Sequence, residues 1–200
     1  MNKTVFLAVL LPLSMLLASC GEKNVPDNQD PTPNGQDTTS VKPKPEDTSL
    51  VKLSDLQLYA PYKQGELYQA YGEASIFNFA IDSVVSVDTS KEQSVTVYIS
   101  GKHVDASSVT IYLTYSLSCT DGKNVKYAFE TTDDHFKKVY KSDISYEVSK
   151  EKSLPELLAV TLSTTSEKVF TAEVTKEKGL TKFPISIDGS KMYDRIQKVK

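Results

Sequence analysis

Tryptophan is absent from the 200 residues, cysteine and histidine occur twice each, and arginine occurs once, at Arg195. Each scarcity removes a class of function. Two cysteines allow one disulfide at most, so stability must come from a hydrophobic core rather than a disulfide framework. With two histidines, a Ser-His-Asp site has only His103 or His135 to serve as its base. The 23 Lys and Arg against 26 Asp and Glu leave a net charge of −3. That balance gives nucleic acid no basic field, and no nucleic-acid partner is expected. Gly-x-Ser-x-Gly, His-Glu-x-x-His and a phosphate-cradling Gly-rich loop are missing. No internal repeat of solenoid or propeller period is present. The apolar run VFLAVLLPLSMLL, Val5 to Leu17, has thirteen residues, short of the roughly 20 that a membrane-spanning helix needs.

What is present begins at the N-terminus. One lysine, that short apolar run and the small residues Ala18 and Ser19 before Cys20 have the layout of a secretory signal peptide over residues 1–19. Leu17-Ala18-Ser19-Cys20 resembles the lipobox of bacterial outer-membrane lipoproteins. The resemblance implies cleavage before Cys20, diacylglycerol on its sulfur and N-acylation of the new terminus, a lipid anchor in the membrane. Acyl chains hold a protein at about 0.8 kcal/mol per buried CH₂, and two or more make a stable anchor. Gly21, where the sorting pattern for inner-membrane retention has Asp, points to the outer membrane. Cys119 is then the only thiol left, and its place at the end of an alternating apolar series suits a small buried hydrophobe.

Residues 20–49 read as a tether. Five of the nine prolines fall here, with six acids, three lysines and no aromatic residue. Such a stretch cannot bury enough apolar surface to offset its ordering entropy. A flexible chain of this length reaches roughly 30 Å. Lipoprotein fimbrial precursors matured by arginine-specific proteases have an arginine after the tether, and none stands there. Asp37-Thr38-Thr39 and Asp82-Ser83-Val84 resemble the short Asp-Thr/Ser-X motif of bacterial O-glycosylation, which would make Thr38 and Ser83 acceptors.

Residues 50–200 form one domain by length, and their apolar residues alternate. Val95, Val97 and Ile99; Ile144, Tyr146 and Val148; Leu158, Val160 and Leu162; Phe170, Ala172 and Val174; and Phe183, Ile185 and Ile187 each mark a half-buried strand. Phe77, Phe79 and Ile81 mark another, followed by Val85 and Val87, and Leu56 with Leu58 suggests a first strand. From Val109 to Cys119 the odd positions are apolar, opposite Thr110, Tyr112, Thr114, Ser116 and Ser118. A hairpin must return Val125, Tyr127 and Phe129 to the same face. This predicts a loop of three or five residues that pairs Cys119 with Val125 and Leu117 with Tyr127. Short helical turns are expected over Glu66–Glu73 and Ser153–Ala159, and a frayed end over Lys191–Lys200. Eight or nine short strands without crossover helices predict an all-β antiparallel sandwich, immunoglobulin-like or related, with a lipocalin-like up-and-down barrel as the alternative. The Cys…Trp…Cys hallmark of antibody domains is missing.

Three functions remain open. A non-catalytic binding or scaffolding domain at the cell envelope would meet an envelope protein or glycan. Its candidate contacts are Tyr59, Tyr62, Tyr68 and Tyr71, crowded around Pro61 and Gly65 in the least strand-like stretch and suited to stacking on a sugar or packing on a partner. His103 and His135, both expected on loops, could ligate haem or a metal as an imidazole pair, with Asp133-Asp134-His135 as a turn able to face a cation. The 20 acids of the domain could include a carboxylate pair for hydrolysis. Of these, the non-catalytic binding domain is the leading expectation, with no cofactor required.

Overall fold

A computed structural model describes residues 49–73, 75–135, 137–163, 169–185 and 192–199. Cys20 and Thr38, with the signal peptide and most of the tether, lie outside them. The described chain enters against the turn around Gly122. Leu50 and Val51 both donate their backbone N–H to the carbonyl of Gly122, at 2.9 and 3.1 Å. A single helical turn, α1 (Leu53–Gln57), follows where Leu56 and Leu58 suggested a strand. Asp55 closes its start by accepting the Lys52 N–H at 2.9 Å, and Leu56 is driven fully into the core.

Eleven strands then build two antiparallel sheets. The first six are β1 (Leu67–Gly72), β2 (Ser75–Asp88), β3 (Gln93–His103), β4 (Ala106–Cys119), β5 (Asn124–Asp133) and β6 (Val139–Glu147). Then come β7 (Leu157–Ser163), β8 (Val169–Thr175), β9 (Gly179–Pro184), β10 (Met192–Tyr193) and β11 (Arg195–Lys198). The seven-stranded sheet runs β11-β1-β2-β3-β4-β5-β6, and the four-stranded sheet runs β10-β9-β8-β7. The fold is an all-β sandwich. Every pairing joins chain neighbours, except that β11 returns to pair β1. The hydrogen-bond ladder breaks between β6 and β7, which separates this arrangement from the closed lipocalin-like barrel.

Neither expected helical turn forms. Glu66–Glu73 contains β1, whose Tyr68 and Ala70 face Phe79 and Phe77 across the ladder; Ser153–Ala159 runs into β7. The C-terminal run pairs rather than frays: Lys198 lies opposite Tyr68, and its ammonium is 2.6 Å from Glu66 Oε1.

The β4–β5 register is the one the alternating faces demand. Cys119 pairs with Val125 and Leu117 with Tyr127, around a five-residue connection. Gly122 supplies the positive φ of 74° that the turn requires. Asp121 Oδ1 accepts the N–H groups of Lys123 and Asn124, at 3.0 and 2.7 Å. These bonds, those from Asn124 first, hold its carboxyl down at about 2.

A bulge between Ile81 and Ser83 corrects another expectation. It swaps the faces of β2, so Val84 packs on the core and Val85 stands 46% exposed instead of continuing the series of Phe77, Phe79 and Ile81. Strand β6, at a sheet edge, likewise leaves Ile144 exposed. Across the gap beside it, the Tyr146 hydroxyl accepts the Ala159 N–H at 2.8 Å and donates to the Ala159 carbonyl at 2.9 Å. One phenol thus does for β7 what a neighbouring strand would do.

Candidate functional site

The four tyrosines singled out by crowding divide between core and surface, and none sits in an open contact loop. Tyr59 and Tyr62 plug one end of the sandwich between the sheets. Tyr59 donates to the Pro155 carbonyl, while its own carbonyl accepts the Tyr115 hydroxyl at 2.9 Å. Tyr62 accepts the Leu180 N–H at 2.7 Å, and its ring lies against Gly179, which has no side chain to collide with it. Burial pushes the Tyr59 phenol up to about 12 and raises Tyr62 further. Tyr68 is half-buried, stacked on Phe79 at 5.3 Å and bonded to Glu66. Tyr71 faces outward under the Arg195 guanidinium, 4.7 Å from the ring centroid.

The aromatic rings offered to solvent are different ones. Tyr98 on β3 and Tyr112 on β4 are 43% and 44% exposed on the outer face of the seven-stranded sheet. Their register partners are Thr114 and Ser100, so the two phenols are diagonal neighbours. Around them the face is mostly hydroxyls: Thr96 and Ser100 on β3, Thr110, Thr114 and Ser116 on β4. The two tyrosines form a ridge between two depressions. One, of about 570 Å³, spreads over β4–β6 with Ala128 at its floor and Glu130, Lys141 and Asp143 around it; Lys126 pairs with Asp143 at 3.0 Å. The other, of about 650 Å³, spreads over β1–β3, with Leu67, Ala80, Ser100 and Lys102 among its lining. The sequence carried the signal for this face. Tyr112 is the one aromatic residue in the polar series opposite the apolar face of β4.

The histidines lie on either side of β4, His103 at the end of β3 and His135 just past β5. His103 is turned inward and 5% exposed, its ring edge-on to Tyr193 at 6.5 Å. Its Nδ1 accepts the Asp105 N–H at 3.1 Å. It is a core residue at the end of a strand rather than a loop imidazole. His135 follows β5 and is exposed. Asp133 and Asp134 serve the turn: Asp133 Oδ1 accepts the N–H groups of His135 and Lys137, each at 3.1 Å, and Asp134 accepts that of Thr110 at 3.0 Å. Among the described residues, no three His, Cys, Asp or Glu side chains are grouped to hold a metal ion.

Cys119 is buried at the end of β4, as its place in the apolar series suggests. Burial raises its thiol. Ser83 lies half-buried just past the β2 bulge. Among the described residues, no helix is long and apolar enough to cross a membrane. No known protein family, curated protein or solved structure matches the chain.

Proposed function

We propose that this chain is a non-catalytic lipoprotein, anchored at the outer membrane through Cys20, whose β-sandwich binds or scaffolds a component of the cell envelope. The observation that supports binding is the outer face of the seven-stranded sheet. It is left uncovered by other described elements, and it presents Tyr98 and Tyr112 to solvent beside two depressions. Exposed aromatic rings on a sheet are a cost to solubility that a contact surface explains. The lipobox and the proline-rich tether support the anchor. Three acyl chains at Cys20 would hold the chain stably on a membrane, and about 30 Å of tether would let the face reach a partner.

The anchor is tested by labelling cells with a radioactive fatty acid and fractionating their membranes. The wild-type chain should carry label and sediment with the outer membrane, and Cys20→Ser should lose both properties. Label retained by Cys20→Ser, or a wild-type chain that never acquires label, would overturn the lipoprotein reading.

A further inference from the structure

One row of the outer face crosses four strands: Leu67 on β1, Ala80 on β2, Ser100 on β3 and Tyr112 on β4 lie opposite one another in turn. Its ends are large and exposed, Leu67 at 55% and Tyr112 at 44%, while Ala80 and Ser100 between them are small and half-buried. Three strand spacings put the ends about 14 Å apart. The row is therefore a trough, and Val199, bonded through its N–H to the Leu67 carbonyl at 2.8 Å, extends the Leu67 wall. A depression of about 650 Å³ lies over the Leu67, Ala80 and Ser100 part of the row, a volume in the range of ligand sites, roughly 300–1,000 Å³, and Tyr112 stands beside it, next to Ser100 in the register.

The polar groups around the trough mix amides, a hydroxyl, an ammonium and a carboxylate. The next row carries the planar amides of Gln69 and Asn78, followed by Lys102. In the floor, the Ser100 hydroxyl donates to Oδ1 of the exposed Asp82 at 2.8 Å. Among the described residues of the depression's lining, Lys102 is the one Asp, Glu, Lys or Arg, and Asp82 beside Ser100 counters it, so no cluster of cations is present to draw a phosphate or a polyanion. A protein-docking surface is depleted of serine at its centre, whereas this face is mostly Ser and Thr around two phenols.

We infer that the trough binds an uncharged pyranose residue of a glycan. The apolar C–H face of the ring packs on Tyr112, with Tyr98 as a second platform for the adjoining sugar, and the hydroxyl rim meets Asn78, Gln69 and Asp82. This deepens the reading that the domain binds an envelope component and rests on it.

The test uses the full chain purified in detergent and a panel of hexasaccharides: glucan, xylan, mannan and galactan fragments, with oligogalacturonate as the anionic control. The chain has no Trp, so its intrinsic fluorescence comes from its 11 tyrosines, and a change lost in Tyr112→Ala is the part that reports on the ridge. At least one neutral hexasaccharide should bind saturably, Tyr112→Ala and Asn78→Ala should each weaken it by roughly tenfold, and Tyr112→Phe should retain it. Both side chains lie on the outer face, so the variants should melt with the wild type; a variant that unfolds is replaced by Tyr98→Ala, whose binding is judged by the same criterion. No saturable binding to any neutral fragment would overturn the inference. So would equal binding of oligogalacturonate, binding unchanged in the variants, or a dimer in solution that covers the ridge. The fatty-acid label at Cys20 reports on the anchor separately, so failure of the trough and failure of the lipoprotein reading are told apart.

Discussion

Removing one oxygen atom from Tyr146 tests how the two sheets are joined. Its hydroxyl both accepts from and donates to the backbone of Ala159, at 2.8 and 2.9 Å, where β6 and β7 share no ladder. Tyr146→Phe keeps the ring and its packing but leaves a half-buried N–H and C=O of β7 without that partner. At about 1 kcal/mol for each net hydrogen bond, the variant should lose about 2 kcal/mol. For a domain of this size that corresponds to a melting temperature lower by roughly 4–8 °C. Urea denaturation followed by circular dichroism reads the change as a shift of midpoint at unchanged slope. Amide exchange should localise the effect, with the Ala159 N–H accelerated. Tyr112→Phe is the control, because it removes an exposed hydroxyl and should change stability by less than about 0.5 kcal/mol. A Tyr146→Phe loss as small as the control's, with Ala159 exchange unaltered, would refute the claim that this phenol stands in for a strand.

Glu66 is held down at about 2 by hydrogen bonds from Lys198 first and Tyr68 second. A depressed carboxyl contributes stability that is complete above the ordinary value of 4.5 and is lost as pH falls towards 2. Glu66→Gln should therefore flatten the urea midpoint between those values by about 1 kcal/mol, after allowance for solvent screening, and an unchanged acid limb would count against the pairing. Gly101 leaves room for rings: a Cβ there would lie 2.6 Å from Phe77 Cζ and 2.7 Å from Phe79 Cβ. Gly101→Ala should cost about 1–3 kcal/mol in a thermal melt, and a neutral result would mean β3 moves freely. The Cys119 thiol, buried and raised, should react with a disulfide reagent only as fast as the domain opens, so a rate independent of urea would contradict its burial. Haemin titrated into the chain should give no bis-histidine Soret spectrum that depends on His103, because that ring faces the core; a spectrum lost in both His103→Ala and His135→Ala would revive the haem reading.

The parts of this fold that were legible in the sequence are those where one local rule decides. The β4–β5 register followed from matching two alternating faces, because a slip of one residue would bury Lys126 and expose Val125. Strands β7 and β8 followed from the same period, whereas of the expected Phe183, Ile185 and Ile187 series only Phe183 falls in β9, Ile185 lies just past its end, and Ile187 is outside the described residues. What stayed hidden depends on partners far along the chain. Leu67, Tyr68 and Ala70 do not announce a strand, since the partner that flanks β1 on its outer side is β11, more than a hundred residues on. The bulge at Ile81 and Ser83 inverted Val84 and Val85 with no Gly to signal it. A five-residue helix is too short to show a period, so Leu56 and Leu58 read as alternation. Among candidate contacts, crowding in sequence drew attention to Tyr59 and Tyr62, which the fold uses as an end plug. The exposed pair, Tyr98 and Tyr112, is fourteen residues apart in the chain and meets only through the β3–β4 register.

The pairing of β11 with β1 also sets an order of events. The strand that flanks β1 lies more than a hundred residues further along the chain, so β1 keeps an open edge until that stretch has been made. Closing it spans a loop of well over a hundred residues, which is entropically slow compared with the local hairpins of β2 to β6. A chain delivered N-terminus first through a narrow pore would thus form its hairpins early but close the β1 edge only once β11 has emerged. Such a protein stays pliable while it is in transit and becomes rigid on arrival.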